Sequence, residues 1–444
     1  MLRGQSGQAA RPHARGFPPR RPGPAPAGRP GPYALEVFPM PRALDGIRVV
    51  DLSHVLAAPT TSMYLADLGA EVIHLEPAQG DDARAFGPFV GPPDPNRSAY
   101  FISLNRNKQS LVLDLKTPQG RAVLRDLIRV SDVVLENFRP DTMAKLGFGW
   151  EALQQLNPRV IYCSICGFGH DTLPAYARRP AYDMVAQAYS GLMSITGPAG
   201  GPPCRVGSSV GDIIAGLQAT IGILAALHYR QRSGRGQAVD IAMVDGLFSV
   251  LENAVARYVN TGEIPGPLGG AHPSITPFQG FQGQDGQWVI AAIGNDKLWA
   301  QYCELLDRGD LLADPRFQTN PLRCDHRTAL IPILEKEMGK KPAAEWCALF
   351  EKHGIPYSPI NTLQQICEDP HIAHRQMLTT ITQPGVGPMQ ICASPLKLSE
   401  TPGAVYAPAP MLGEHSAAVL REVLGYSPEK IAELQAAGVL GPPC

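Results

Sequence analysis

A chain of 444 residues with 44% hydrophobic content can bury a large core, and its length favours two domains or one elaborated domain. Thirty-nine Lys and Arg stand against 40 Asp and Glu, with no basic block and no acidic tail, which points away from nucleic acid and anionic membranes as partners. Any ligand is held by a few placed charges.

Residues 1–39 are a different polymer: six arginines, many prolines and glycines, and no acid before Glu36. Such a segment cannot pack a core. Its arginines suit a mitochondrial presequence, but its prolines forbid the amphipathic helix such signals need. We read it as a disordered leader or a mis-assigned start, with Met40 as the native first residue.

From Ile47 the chain alternates β-branched runs with helical patterns, the signature of βαβ units. Residues 47–52, 71–75, 110–115, 132–136 and 160–165 read as strands, and 59–68, 117–130, 141–146 and 150–156 as helices. Thr117 followed by Pro118 is a good helix start. The expected fold is α/β, a Rossmann-like doubly wound parallel sheet in a large domain plus a smaller α/β domain. The large domain takes 40–250 and 375–444, a Gly-, Pro- and Gln-rich linker 251–284, and the small domain 285–374. A last helix is expected near 428–437.

A long helix over 212–232 is apolar on most faces and is stopped by Ser233-Gly234-Arg235-Gly236. Its most apolar stretch runs for about 15 residues and carries Gln218, whereas a bilayer needs about 20, so it reads as a central core helix with no membrane role. Nine cysteines, odd in number and scattered, suit reduced thiols and a cytoplasmic setting. Cys163 and Cys166 form a C-x-x-C, but on a strand residues three apart face opposite ways. No second ligand pair follows, so no metal site and no permanently bound cofactor is assigned.

The first strand and turn, Val49-Val-Asp-Leu-Ser-His-Val-Leu, sit where a nucleotide-binding sheet places its phosphate loop, yet contain no G-x-G-x-x-G and no P-loop. Glu76 alone is weak support for a dinucleotide. His54 is a conceivable acid or base, or a turn histidine bonded to backbone. The chain has no G-x-S-x-G and no H-E-x-x-H, which removes the usual hydrolase and zinc-protease signals. The informative stretch carries Tyr182 and Asp183, then Val206-Gly-Ser-Ser-Val-Gly-Asp-Ile-Ile-Ala-Gly. Asp212, with Gly211 before it and Gly216 one turn on, is either an N-cap or a carboxylate nucleophile beside backbone N–H groups that steady an oxyanion. The residues alone leave both open.

Several segments, in order from about 42 to 440, resemble the family III CoA-transferases, which include formyl-CoA transferase and carnitine CoA-transferase. They include Leu44-Asp-Gly-Ile-Arg-Val-Val-Asp-Leu-Ser-His-Val, Leu68-Gly-Ala-Glu-Val-Ile-His-Leu-Glu, Asn105-Arg-Asn-Lys-Gln-Ser-Leu and Val134-Leu-Glu-Asn-Phe-Arg-Pro. Further matches are Gly211-Asp-Ile-Ile-Ala-Gly, Ser233-Gly-Arg-Gly-Gln, Gly354-Ile-Pro and Leu412-Gly-Glu-His. The resemblance implies that Asp212 is the nucleophile, that Tyr182, Asp183, Gly211 and Gly216 build the acyl pocket, and that the substrates are an acyl-CoA and a carboxylic acid. It also implies CoA contacts from Val55, Leu56, Leu113, Lys116, Asn137, Phe138 and Lys145, and an interlocked homodimer.

Leu56, Pro77 and Lys145 depart from formyl-CoA transferase, which has Gln, Arg and Arg there. Its tetraglycine loop is replaced by Ala271-His-Pro-Ser-Ile-Thr-Pro-Phe-Gln. That pattern is closer to the succinyl-CoA:glutarate branch, so succinyl-CoA is the expected donor and a dicarboxylate the expected acceptor. Arg84, Arg106 and Arg205 are candidates to hold the second carboxylate. Two other functions stay open. An α-methylacyl-CoA racemase has a His where this chain has Tyr182, a poor base at neutral pH; a non-catalytic CoA-binding module would not need the Gly-Asp-x-x-x-Gly.

Overall fold

The computed structural model describes residues 42–441; the expectations for the first 39 residues lie outside this range. Strands β1 (Arg48–Asp51), β2 (Glu71–Glu76), β3 (Lys108–Val112), β4 (Val133–Glu136), β5 (Ile161–Cys166) and β6 (Ala238–Ala242) form one parallel sheet in the order β3-β2-β1-β4-β5-β6. This is the doubly wound order, and it reverses beside β1, where such sheets open a crevice.

Alternation along the strands feeds two cores, one on each face. Val50, Leu52, Ile73, Leu75, Val134 and Tyr162 point to one side, under helices α3 (Pro118–Arg129), α4 (Thr142–Lys145) and α5 (Trp150–Leu156) and the C-terminal helices Ser416–Glu422 and Pro428–Ala436. Val49, Val72, Val133, Leu135, Ile161 and Cys163 point to the other. There they meet α1 (Ala57–Asp67), α7 (Val210–Ser233) and α8 (Met243–Ser249). The tail thus returns to the first sheet.

α7 is longer than the apolar stretch suggested: at 24 residues it is, by length and composition alone, able to cross a membrane. It lies across the sheet, packed on α1, β5, β6 and α8. Gly216 sets that packing, because a Cβ there would come within 2.6 Å of the Ala57 carbonyl oxygen and 2.8 Å of Thr60.

Beyond α8, helix α9 (Glu252–Thr261) and strand β7 (Phe278–Gln282) occupy much of the stretch read as a linker. β7 pairs with β8 (Trp288–Ala292) and β8 with β9 (Tyr357–Pro359), all antiparallel. This second sheet has its own core, centred on Trp299, Tyr302, Phe317, Trp346 and Phe350. A hairpin of β10 (Leu378–Gln383) and β11 (Gly387–Cys392) follows.

Strand β3 begins two residues before the expected one because its first positions are polar yet buried. Lys108 reaches Asp51 and Asn105, and Ser110 donates to Glu76.

Candidate active site

Nδ1 of His74, fully buried, lies 3.3 Å from Asp51 and its Nε2 3.6 Å from Asp81, close enough for ion pairing though without the alignment of hydrogen bonds. Burial works against its charge, but the two aspartates and Glu76 outweigh it and push the imidazole up to about 9. Asp51 also accepts from Ser62 at 2.6 Å and pairs with Lys108. Asp81 in turn accepts the Val55 N–H at 3.0 Å and the Ala83 N–H at 2.8 Å.

The turn so anchored is strained: Val55, a β-branched residue, has φ of 67°, a conformation such residues rarely adopt and one that concentrates at functional sites. Asn137 braces the turn from the other side, accepting the His54 N–H at 2.9 Å and donating to the His54 carbonyl at 2.8 Å. His54 is held through its backbone, as a turn histidine would be, while its ring stacks on Phe138.

Beside this turn, at the C-terminal ends of β1–β4, opens a cavity of about 480 Å³. Leu52, Leu75 and Leu113 line its apolar part, Pro77 to Asp82 and Lys116 a polar part, with Phe138 and Leu146 also in its walls. Of the residues expected at CoA, Leu113, Lys116 and Phe138 line it. Val55, Leu56 and Asn137 belong to the turn and its brace, and Lys145 is exposed at the end of α4, next to Leu146.

Asp212 does not open its helix. Ser209 is the N-cap and Asp212 the third helical residue, making no cap bond, so the capping reading fails. Among the described residues no hydrogen bond reaches its carboxylate. Burial first, then the charge of Asp183, pushes that carboxyl up to about 7. The N–H groups of Val210, Gly211 and Ile213 are donated to Ser208, Asp183 and Ser209, which leaves the N–H of Asp212 itself without a partner among the described residues.

Asp183, buried at the start of α6 (Asp183–Tyr189), accepts from Gly211 N at 2.9 Å and Gln187 Nε2 at 2.8 Å. It positions the first turn of α7. Gly211 allows this, since a Cβ would press to 3.1 Å from Asp183 Oδ1. Gly216 serves the packing of α7 on α1. Tyr182 is 77% exposed.

Asp212 lies outside the cavity lining. Its helix meets α1 one turn further on, at Gly216, and α1 begins directly after the Val55–Leu56 turn. Tyr100, on α2 (Ala99–Asn105), feels Asp212, Asp81 and Asp183 together; burial, then these charges, push its phenol up to about 12. Tyr100 was not legible in the sequence, where no motif marks it.

Two of the three candidate arginines are excluded by geometry. Arg84 is buried, its guanidinium spanning both oxygens of Glu76 at 2.7 and 2.8 Å. Arg106 is buried on Asp67 at 3.0 and 2.7 Å. Arg205 is exposed, 3.8 Å from Asp183.

The family model for CoA-transferase family III matches residues 44–416. The chain belongs to CoA-transferase family III. It is an enzyme, a CoA-transferase, and its relatives are named as such. It is 37% identical over 401 residues, 90% of each chain, to the human succinyl-CoA:glutarate CoA-transferase. It is 41% identical to the succinate–glutarate CoA-transferase of Agrobacterium fabrum, covering 86% of this chain and 95% of that one. It is also 41% identical to the acetyl-CoA:oxalate CoA-transferase of Acetobacter aceti, over 85% and 95% of the two chains. Among solved structures, a CAIB/BAIF family protein from Brucella suis superposes with a TM-score of 0.76 at 38% identity, covering 86% of this chain and 99% of that one.

Proposed function

We propose that this CoA-transferase moves CoA from succinyl-CoA to a dicarboxylate of the glutarate class, with Asp212 as nucleophile. The observation that carries the reading is the Asp212 carboxylate: half-buried, unbonded among the described residues, and one helical turn before the Gly216 contact with α1, the helix that starts directly after the Val55–Leu56 turn. The names of the succinyl-CoA relatives support the donor and acceptor.

In this mechanism the Asp212 carboxylate attacks the thioester carbonyl, the C–S bond breaks, and the CoA thiolate leaves a mixed anhydride. The thiolate then attacks the aspartyl carbonyl, freeing succinate and forming aspartyl-CoA. The acceptor carboxylate displaces the thiolate to form a second anhydride. Attack of the thiolate on the acceptor acyl carbon gives the new acyl-CoA and regenerates Asp212. The N–H of Asp212 and the helix N-terminus support the developing oxyanion. Arg205, beside Asp183, holds the distal carboxylate of the acceptor. Tyr182 stands where the racemase branch has a His, and its side chain is exposed.

Apolar side chains are left exposed along α7 and in the stretch that follows it, namely Leu217, Ile221, Tyr229, Phe248, Val250, Tyr258 and Val259, and such exposure suits a protein–protein contact. They support an interlocked homodimer. The eight described cysteines are all unpaired thiols, consistent with a reducing, cytoplasmic setting.

Mass spectrometry of CoA species after mixing the protein with succinyl-CoA and glutarate, mesaconate, citramalate or oxalate tests the reading. Glutaryl-CoA or a similar dicarboxylate thioester is expected. No new thioester, with deuterium uptake α to a branched acyl-CoA, would overturn it.

Two kinetic results follow. Because only ionised Asp212 attacks, kcat/KM rises about tenfold per pH unit below pH 7 and levels off above it; a profile flat from pH 5.5 to 8.5 would contradict the assignment. Lys116 is the exposed cation of the cavity lining, so Lys116→Ala raises KM for the CoA thioester about tenfold with little change in kcat. Steady-state kinetics at fixed acceptor concentration measures the split.

A further inference from the structure

At the far side of the sheet, three side chains of metal-ligand type converge where no catalytic role is assigned. Cys166 ends β5, His170 follows in the loop after it, and Asp240 lies on β6, whose Ala242 pairs with Cys166 and whose Asp240 pairs with Ser164. One donor atom from each of Cys166, His170 and Asp240 falls within 4.8 Å of the other two. That spacing surrounds a single ion.

Cys166 is held by its buried place at the end of β5, paired with Ala242 of β6; His170 and Asp240 are held by further bonds. Gly169, at φ of +81°, turns the chain between Cys166 and His170. The Asp240 carboxylate accepts the N–H groups of His170 at 2.9 Å and Asp171 at 3.3 Å. Nε2 of His170 is bonded to Ser164 Oγ at 2.5 Å, and the buried Glu136, opposite Ser164 in the β4–β5 pairing, accepts from the Tyr162 hydroxyl at 2.8 Å. An imidazole and a carboxylate each oriented by hydrogen bonds are how ligands are presented to metals.

A cavity of about 250 Å³ is lined by Glu136, Ser164, His170 and Asp240 among others, so two of the three side chains border open space while Cys166 lies behind them. Cys163 takes no part, since it faces the opposite core.

We propose that Cys166, His170 and Asp240 form a binding site for a divalent transition ion of the zinc type. Sulfur, imidazole and carboxylate suit a borderline-soft ion and leave the fourth tetrahedral position to water. Ligation would tie the end of β5 to the edge strand β6 and to the loop leading to Tyr182. The thiol proton passes to solvent on binding, so affinity rises with pH.

The test is titration of the reduced, chelator-treated full-length protein with Co²⁺, followed by absorption spectroscopy. About one equivalent is expected to bind, with a sulfur-to-cobalt charge-transfer band and the visible bands of a tetrahedral ion, displaced by Zn²⁺. The charge-transfer band should vanish in Cys166→Ser. Because Cys166 is buried and its variant can misfold, His170→Ala and Asp240→Asn, both exposed, are titrated in parallel; each should weaken binding tenfold or more. No charge-transfer band in the wild type, or unchanged binding in His170→Ala and Asp240→Asn, overturns the site.

Discussion

Asp212→Asn loses transferase turnover by a factor on the order of 10⁴ or more, the scale seen when a covalent nucleophile is removed, while the protein stays folded. No hydrogen bond among the described residues ends on its carboxylate, so the amide disturbs nothing that holds the first turn of α7. Stability in fact moves the other way. The carboxyl is raised from 3.8 to about 7, so between those values the folded state binds more protons than the unfolded one and stability falls as pH rises. An uncharged side chain escapes that cost. The variant is therefore more stable than the wild type at pH 8, an advantage that fades as pH falls towards 4. Melting temperatures at both pH values, beside the turnover assay, check the pair of results. A variant that is inactive because it is unfolded would fail the second.

The second large effect is on stability. Arg84→Met lowers the unfolding free energy by about 3–5 kcal/mol, because removing one partner of a buried ion pair leaves the other charge unpaired. The stranded group is Glu76, whose carboxyl is buried; burial raises it, but Arg84 and His74 together hold it below the ordinary range. A lowered carboxyl contributes stability above its ordinary value and loses it as pH falls, so the difference between variant and wild type narrows in acid. Urea unfolding at pH 7 and pH 4 measures both. A loss under about 1 kcal/mol at pH 7, the scale of an exposed pair, would show that the pair behaves as a surface one. Gly80, whose Cβ would meet Arg84 Cδ at 2.8 Å, lines the cavity, so the same pair also backs the wall of the proposed CoA site.

These two residues illustrate what sequence periodicity conveys. β1, β2, β4 and β5 are buried on both faces, so their apolar runs are plain and the expected bounds fall within a residue of the observed ones. The start of β3 is missed because Lys108 and Gln109 are polar, and the burial of Lys108 depends on Asp51, which lies far away in the chain. β6 was missed because Ala238 and Asp240 face solvent and break the apolar run.

The same limit governs the site. Asp212 is singled out by its Gly-Asp-x-x-x-Gly setting, but the packing contacts of its neighbours are not legible there. Gly216 answers to α1 and Asp183 to Gly211, contacts made only once the chain is folded. Arg84 and Arg106 looked like free cations because nothing local shows that Glu76 and Asp67 will cover them. Tyr100 carries no pattern at all, and only packing brings it near Asp212.

The most direct test of the account traps the covalent intermediate. Wild-type protein is mixed with succinyl-CoA and then hydroxylamine, digested, and the peptide carrying residue 212 examined by mass spectrometry. Attack of hydroxylamine on aspartyl-CoA expels CoA and leaves an aspartyl hydroxamate, so that adduct is expected on Asp212, formed only when the CoA thioester is present. An unmodified Asp212 in protein that turns over succinyl-CoA and glutarate, or a hydroxamate on another carboxylate, would contradict it.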